Sequence, residues 1–363
     1  MKSFVVKSKV KDFKVNFVED YKFVEKLIES PHYVAIVDKK VYGLYKDKIF
    51  NIFPKENILV LEFNEEGKTI ETVLAIHKKL LDRTAKKNLT IISFGGGINQ
   101  DVVGFAASTL YRGVNWIYIP TTLLAMADSA IGLKTSLNFN KYKNVLGTFY
   151  PPSEIYINVN FLDTLDKVDY LGGVGEIVKL LFMDKDSINK LHVILKKTNI
   201  LRERKDKKAI SEIIGEAMKI KLTYMEGDEF DRGRRNLLNY GHEFGHALEP
   251  ASNYKIPHGI AVMIGIIFAN YVSLKRGLLN KKLFEDINNK LLLPNILSTD
   301  LKFEKEFFNK NTILTNMKKD KKRVGEGLVL VLPKKDLSLL KINDLSIDEL
   351  HESIIELTHL LHI

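Results

Sequence analysis

The residues most able to do chemistry stand in four short segments. The first is Asn239-Tyr240-Gly241-His242-Glu243-Phe244-Gly245-His246, followed by His258. His242 and His246 are four apart, which on a helix puts both imidazoles on one face. Residues 242–246 spell His-Glu-x-x-His, so a zinc protease with Glu243 as general base is one reading, and two helix-face histidines with ordinary hydrogen bonds is another. The second segment, Gly95-Gly96-Gly97, follows an apolar run at 89–94 and precedes a helical run near Asp101. Bare backbone there can approach a phosphate at a helix N-terminus, as a dinucleotide requires; a tight turn without ligand is the plainer reading, and the full GxGxxG fingerprint is absent. The third joins Asp128-Ser129-Ala130-Ile131-Gly132-Leu133-Lys134 to Lys143-Asn144, and the fourth is Gly172-Gly173-Val174-Gly175-Glu176-Ile177-Val178-Lys179.

These segments need elements to position them. Residues 33–37, 58–63, 89–94, 116–119 and 155–159 read as strands, while 69–83 and 101–111 have helical length and period. That order predicts βαβ units and a parallel, Rossmann-like sheet whose ligands lie at the carboxyl ends of its strands. From about Asp166 the texture changes to long amphipathic segments at 210–226, 259–276 and 347–361. The expected architecture is an α/β domain over 1–165 and an all-α domain over 166–363, with a site in the cleft between them. A protease would not use such a sheet, and Glu249 follows His246 too closely to be the usual third ligand.

Composition narrows the chemistry. The 363 residues are 45% hydrophobic and 28% charged, enough for a large core. The net charge of +10 is spread through mixed runs such as 202–208 and 318–323, with no basic stripe interleaved with aromatics, so nucleic acid is not the expected partner. With no cysteine, any metal must be held by histidines and carboxylates. The N-terminus lacks the apolar core of a signal peptide and no later segment is expected to span a bilayer, which predicts a cytoplasmic enzyme that uses no membrane.

In order and spacing, residues 95–101, Tyr111-Arg112-Gly113, Pro120-Thr121-Thr122-Leu123-Leu124, 128–135, Lys143-Asn144, 175–179, 235–246, Pro257-His258-Gly259 and Asp320-Lys321-Lys322 together resemble the 3-dehydroquinate synthase family of sugar-phosphate cyclases. The resemblance implies a divalent metal, zinc or cobalt, on Glu176, His242 and His258, with His246 turned toward the substrate phosphate. It implies NAD over Gly95, Gly96 and Gly97, with Asp101, Thr121, Thr122 and Thr164 around it, Asp38, Glu65 and Lys68 near its outer end, and Asp128, Lys134 and Lys143 also in reach. A small phosphorylated sugar would meet Asp128, Lys134, Lys143, Asn144, Lys179, Lys221, Arg235, Asn239, His246 and Lys322, and Arg112 would cross a homodimer interface into the partner's site. The implied reaction is transient oxidation of a hydroxyl by NAD, β-elimination of phosphate, return of the hydride and an intramolecular aldol closure, converting 3-deoxy-D-arabino-heptulosonate 7-phosphate to 3-dehydroquinate. Rival readings are a cyclase of the 2-epi-5-epi-valiolone or 2-deoxy-scyllo-inosose synthase type and a metal-dependent polyol dehydrogenase, which would not need so many lysines. The chain departs from the family at Gln100, where a small residue is usual, at Leu133, usually glycine, and at Lys40, usually asparagine.

Overall fold

The computed structural model describes residues 3–83, 86–140, 142–319 and 327–363. It divides into two compact units, Met1–Leu165 and Asp166–Ile363. In the first unit the elements run β1 (Ser3–Val6), β2 (Phe13–Phe17), α1 (Phe23–Leu27), β3 (Tyr33–Asp38), α2 (Lys39–Tyr45), β4 (Ile58–Leu61), α3 (Ile70–Asp82), β5 (Thr90–Gly95), α4 (Gly97–Thr109), β6 (Asn115–Pro120), α5 (Leu123–Ala127), β7 (Lys134–Phe139), β8 (Tyr142–Phe149) and β9 (Glu154–Ile157). Seven strands form one sheet in the order β1-β2-β9-β6-β5-β3-β4, parallel except for β1 against β2. β3, β5 and β6 are buried along almost their whole length, as central strands covered on both faces must be, which is why they read as unbroken apolar runs.

Topology decides where a ligand can sit. The chain leaves β3 for β4 on one side and returns as β5 on the other, so the order reverses between β3 and β5. Open α/β sheets bind ligands at such a reversal, outside the carboxyl ends of the strands. Val37 pairs with Phe94 and Gly95 with Pro120, which brings Asp38, Gly95 and Thr121 out of the sheet at one edge. α4 starts four residues before the expected 101 because Gly96, in extended conformation, caps it. β1–β2 and the β7–β8 hairpin were not among the expected strands; β8 is half exposed and Asn144 within it has a left-handed φ of 53°, so neither an apolar run nor an alternation marks it.

The second unit runs α6 (Lys167–Phe182), α7 (Leu191–Glu203), α8 (Lys207–Met225), α9 (His242–Ala251), α10 (His258–Lys275), α11 (Lys281–Ile287), α12 (Leu293–Leu297), α13 (Lys310–Lys318), the hairpin β10 (Leu328–Pro333) and β11 (Leu339–Leu345), and α14 (Ile347–Leu360). The hairpin is an addition to the helical domain expected here. α10 is the hub, packed by α6, α9, α14 and β10. Contrary to the expectation that no segment could span a bilayer, α10 is long and apolar enough by composition, with a mean hydropathy of 1.4, but 78% of that window is buried inside the fold, as in a core helix.

The far end of α10 is tied down electrostatically. Arg276 Nε lies 2.6 Å from Glu349 Oε1, its Nη2 2.8 Å from Glu349 Oε2 and its Nη1 2.9 Å from Asp344 Oδ1. Glu349 also completes a capping box with Ser346 at the start of α14. The Arg276 fork holds the Glu349 pKa down at about 2. A depressed carboxylate pKa stabilises fully above the unfolded value of about 4.3, and the contribution disappears as pH falls toward 2. Arg276→Gln should therefore cost about 1–3 kcal/mol at neutral pH and flatten the loss of stability between roughly pH 4.5 and 2. Urea unfolding across that range measures both.

Candidate active site

In the first unit the glycine turn is built by its neighbours. A Cβ on Gly95 would lie 2.6 Å from the side chain of Asn99, which accepts a hydrogen bond from Ser93, so only glycine fits there. The Tyr118 hydroxyl donates to the carbonyls of Gly95 and Gly96 at 3.2 and 3.0 Å and ties the turn to β6. Gly97 opens α4 with no acidic residue in the first turn, and among the described residues no side chain caps it, which leaves the helix N-terminus suited to an anion. Thr121 donates its N–H to Gly95 O at 3.0 Å, and the Thr122 hydroxyl caps α5. Asp38 caps α2 through the N–H groups of Lys40 and Val41, so Lys40 stands in the first turn of that helix. The Thr164 hydroxyl meets the hydroxyl of Tyr45, the last residue of α2, at 2.8 Å.

A second group gathers around the β7–β8 hairpin. Buried Lys68 reaches Asp101 Oδ2 at 2.6 Å and donates to Asn144 Oδ1 at 2.6 Å, and Ser136 donates to the same Asn144 oxygen. Asn138 donates to Glu65 Oε1 at 2.9 Å, and Lys143 pairs with that carboxylate at 3.3 Å. The structure thus joins Glu65, Lys68, Asp101, Lys143 and Asn144 in one network, and Lys68 spans it from inside. Burial pushes the Asp101 pKa above its usual value, against the pull of Lys68. Ser136 and Asn138 were missed, since nothing local distinguishes two small polar residues in a short hairpin.

Two departures gain physical reasons. Gln100 is buried and makes a reciprocal pair with Ser129, donating to its carbonyl at 2.9 Å and accepting from its hydroxyl at 2.7 Å, so the larger side chain fastens α4 to the turn after Asp128. Leu133 is buried at φ 62°, the left-handed conformation that glycine adopts without strain. Lys134, next in the chain, is exposed at the start of β7, and Arg112 is exposed on the turn closing α4, also at positive φ.

The second unit brings together what the sequence kept far apart. α6 and α10 touch through backbone: a Cβ on Gly259 would lie 2.1 Å from the carbonyl oxygen of Gly172. That approach sets Glu176, one turn further along α6, against His258, the first residue of α10. α9 approaches α10 the same way, Gly241 over Gly265, and presents His242 at its first turn. Gly259→Ala is expected to unseat His258, costing roughly 3 kcal/mol or more in stability. Gly43→Ala, within α2 and with nothing inside 4 Å, should instead stabilise by about 0.5–1 kcal/mol. Thermal melts of the two variants check the contrast.

Glu176 Oε1 lies 3.5 Å from Nε2 of His242 and 3.5 Å from Nε2 of His258. His242 Nδ1 faces the Tyr240 carbonyl and His258 Nδ1 faces Glu249 Oε2, each at 3.3 Å. Carbonyl and carboxylate only accept, so both rings carry a proton on Nδ1 and turn Nε2 inward. Where both rings are neutral, two nitrogen lone pairs converge with Glu176 Oε1, while Oε2 faces Lys179. Such a set calls for a positive centre and fits a divalent cation. His246 joins the cluster, with ligand atoms of the three histidines within 4.8 Å of one another, but its side chain is exposed.

Lys179 and His258 flank this carboxylate. Lys179 Nζ lies 2.5 Å from Glu176 Oε2 in the interior of α6. Burial would raise the Glu176 pKa, but the charge of Lys179 and contact with His258 hold it well below the usual carboxylate range. Burial works against a charged His258, yet Glu176 and Glu249 outweigh it and raise its pKa to about 10. Lys221 is buried on α8, which packs against α6. Arg235 is buried in the turn before α9, where Asp228 accepts the N–H groups of Arg232, Gly233 and Arg235, each at 2.8 Å, and its guanidinium donates to Glu229 O. Asn239 closes the same turn through Asn236 O. Lys322 lies outside the described residues.

This fold is one that sugar-phosphate cyclases share with iron-containing dehydrogenases. A 2-epi-5-epi-valiolone synthase from Streptomyces hygroscopicus subsp. jinggangensis 5008, solved with NAD+ and Zn2+ bound, superposes with a TM-score of 0.83 at 23% identity, covering 98% of this chain and 99% of that one. A 2-deoxy-scyllo-inosose synthase complexed with carbaglucose-6-phosphate, NAD+ and Co2+ gives 0.80 at 21% identity over 98% and 100%, and an iron-containing alcohol dehydrogenase from Corynebacterium glutamicum 0.62 at 12% over 94% of each chain. Sequence is more specific. The profile of the 3-dehydroquinate synthase N-terminal domain matches residues 58–171 and that of the C-terminal domain residues 173–323. The 3-dehydroquinate synthase of Clostridium tetani is 39% identical over 78% of this chain and 75% of its own, and that of Dictyoglomus thermophilum 34% over 90% and 86%. The chain belongs to the 3-dehydroquinate synthase family.

Proposed function

We propose that this protein converts 3-deoxy-D-arabino-heptulosonate 7-phosphate to 3-dehydroquinate and inorganic phosphate, with NAD and a divalent metal, zinc or cobalt, as cofactors. The observation that carries the reading is the convergence of Glu176, His242 and His258, backed by membership of the family. Glu176, His242 and His258 would hold the metal, which polarises the substrate hydroxyl to be oxidised. Gly95, Gly96 and Gly97 would hold NAD, which would supply reversible hydride acceptance and so leave the reaction redox-neutral.

The protein's own groups do the rest by position and charge. The α4 N-terminus binds the pyrophosphate, while Asp38, Thr121, Thr122 and Thr164 orient the sugar parts of the dinucleotide. The network of Glu65, Lys68, Asp101, Lys143 and Asn144 fixes the β7–β8 hairpin and with it Lys134. Lys179 and Lys221 lower the pKa of the reacting hydroxyl and stabilise negative charge on oxygen as it develops. Arg235 and Asn239 bind the substrate carboxylate, and Lys134, His246 and Lys322 its phosphate, which holds the sugar in a reactive conformer. Asp128 orients the substrate.

Homodimerisation with Arg112 completing the partner's site belongs to the same reading, as does a cytoplasmic location; sedimentation giving a single-chain mass would contradict the first, and enrichment with a membrane fraction the second. A cyclase for an uncarboxylated sugar is the second reading, favoured by Gln100 and Leu133. Phosphate release from the heptulosonate phosphate, sedoheptulose 7-phosphate and glucose 6-phosphate decides between them: the proposal expects the first to turn over far faster than the other two and fails if either uncarboxylated sugar is preferred.

A further inference from the structure

We infer that Glu249 is a positioning residue that aims His258 at the metal. The inference rests on the metal reading of Glu176, His242 and His258. The two histidines are oriented by different means. His242 has its Nδ1 against the backbone carbonyl of Tyr240, two residues earlier, a partner that no side-chain change removes. His258 has its Nδ1 against a side chain, Glu249 Oε2 at 3.3 Å, contributed by the last turn of α9, nine residues earlier.

The connection from α9 to α10 is wound around the backbone of that same residue. The Glu249 carbonyl accepts the Tyr254 N–H at 2.8 Å and the Ser252 hydroxyl at 2.9 Å, and the Ser252 hydroxyl in turn accepts the Ile256 N–H at 3.2 Å. Glu249 thus fixes both the path that delivers His258 and the tautomer the ring adopts on arrival. Its side chain is only 15% exposed, which limits competition from water for the hydrogen bond. A carboxylate on the distal nitrogen also raises the basicity of a ligating imidazole, and loss of such partners typically lowers metal affinity about 10–100-fold. From sequence alone Glu249 is a candidate ligand at the wrong distance; in the structure it stands behind a ligand.

The test is chelator competition for zinc and cobalt, with visible absorption of the cobalt form, on the full chain as wild type, Glu176→Ala, Glu249→Gln and Glu249→Ala. Wild type should bind one ion, and Glu176→Ala should bind it far more weakly. Glu249→Ala should lose about 10–100-fold in affinity at unchanged stoichiometry and alter the cobalt spectrum. Glu249→Gln, whose amide oxygen still accepts, should lose less; if Glu249→Ala does not fold, a Glu249→Gln protein with wild-type affinity and spectrum overturns the inference. So does a folded Glu249→Ala protein with those properties, or one whose defect is a smaller fraction of binding-competent chains at wild-type affinity. If wild type binds the ion no better than Glu176→Ala, the metal reading itself fails and the inference falls with it.

Discussion

Glu176→Gln is expected to abolish turnover, lowering kcat by at least about 10³-fold, and to destabilise the metal-free protein as well. The first effect follows from losing the charged member of the ligand set, since Lewis-acid stabilisation contributes several kcal/mol and each 1.4 kcal/mol is about tenfold in rate. The second follows from Lys179, which is 2% exposed and has the Glu176 carboxylate 2.5 Å away. Removing one member of a buried pair leaves the other charge uncompensated, typically at a cost of about 3–5 kcal/mol. His258→Ala should match the first effect without the second, because it takes away a ligand and leaves the Lys179–Glu176 pair intact. Phosphate-release kinetics together with unfolding of the chelated proteins separate the two. Equal stability of chelated wild type and Glu176→Gln would show that the pair does not contribute as described, and full activity of His258→Ala would remove the metal site.

Arg235→Ala should lose roughly 30- to 5,000-fold in kcat/KM for the carboxylated substrate, the range that corresponds to about 2–5 kcal/mol for truncating one partner of a buried charged contact. The same substitution should change the low rates with sedoheptulose 7-phosphate or glucose 6-phosphate much less. The physical reason is burial. A guanidinium that is 3% exposed, on a turn that Asp228 braces through three backbone N–H groups, is held in a fixed place, where its planar fork suits a carboxylate. Arg235→Lys is a sharper probe, since it keeps the charge but loses the planar fork, and should recover only part of the rate. An unchanged preference among the three sugars in Arg235→Ala would return carboxylate recognition to some other group.

Much of this site is legible in the chain. The buried central strands announce themselves as apolar runs, and the glycine turn after β5 is where the strand-to-helix switch put it. His242 and His258 stand out by residue type and Glu176 by its motif, and the fold sets all three together. What the sequence concealed is mostly long-range or backbone-mediated. Gly172 looks like a helix start and is an interior contact with Gly259, a relation across 87 positions that no local pattern carries. Asp228 looks like one acid in a mixed run, yet it organises the Arg235 turn. The β7–β8 hairpin escaped because Leu137 is its one fully buried apolar residue, while Ser136, Asn138 and Asn144 serve the network of Lys68 and Asp101, so its polarity does not alternate cleanly.

The central claim is a redox cycle that closes on itself, and the number of products formed per NAD tests it most directly. Purified protein, supplied with zinc, with 3-deoxy-D-arabino-heptulosonate 7-phosphate and with NAD only at the concentration of enzyme sites, should release many equivalents of phosphate and 3-dehydroquinate while absorbance at about 340 nm shows no net NADH. One equivalent of product with one of NADH, or a rate that continues only while fresh NAD is added, would contradict the cyclase and make the protein a dehydrogenase.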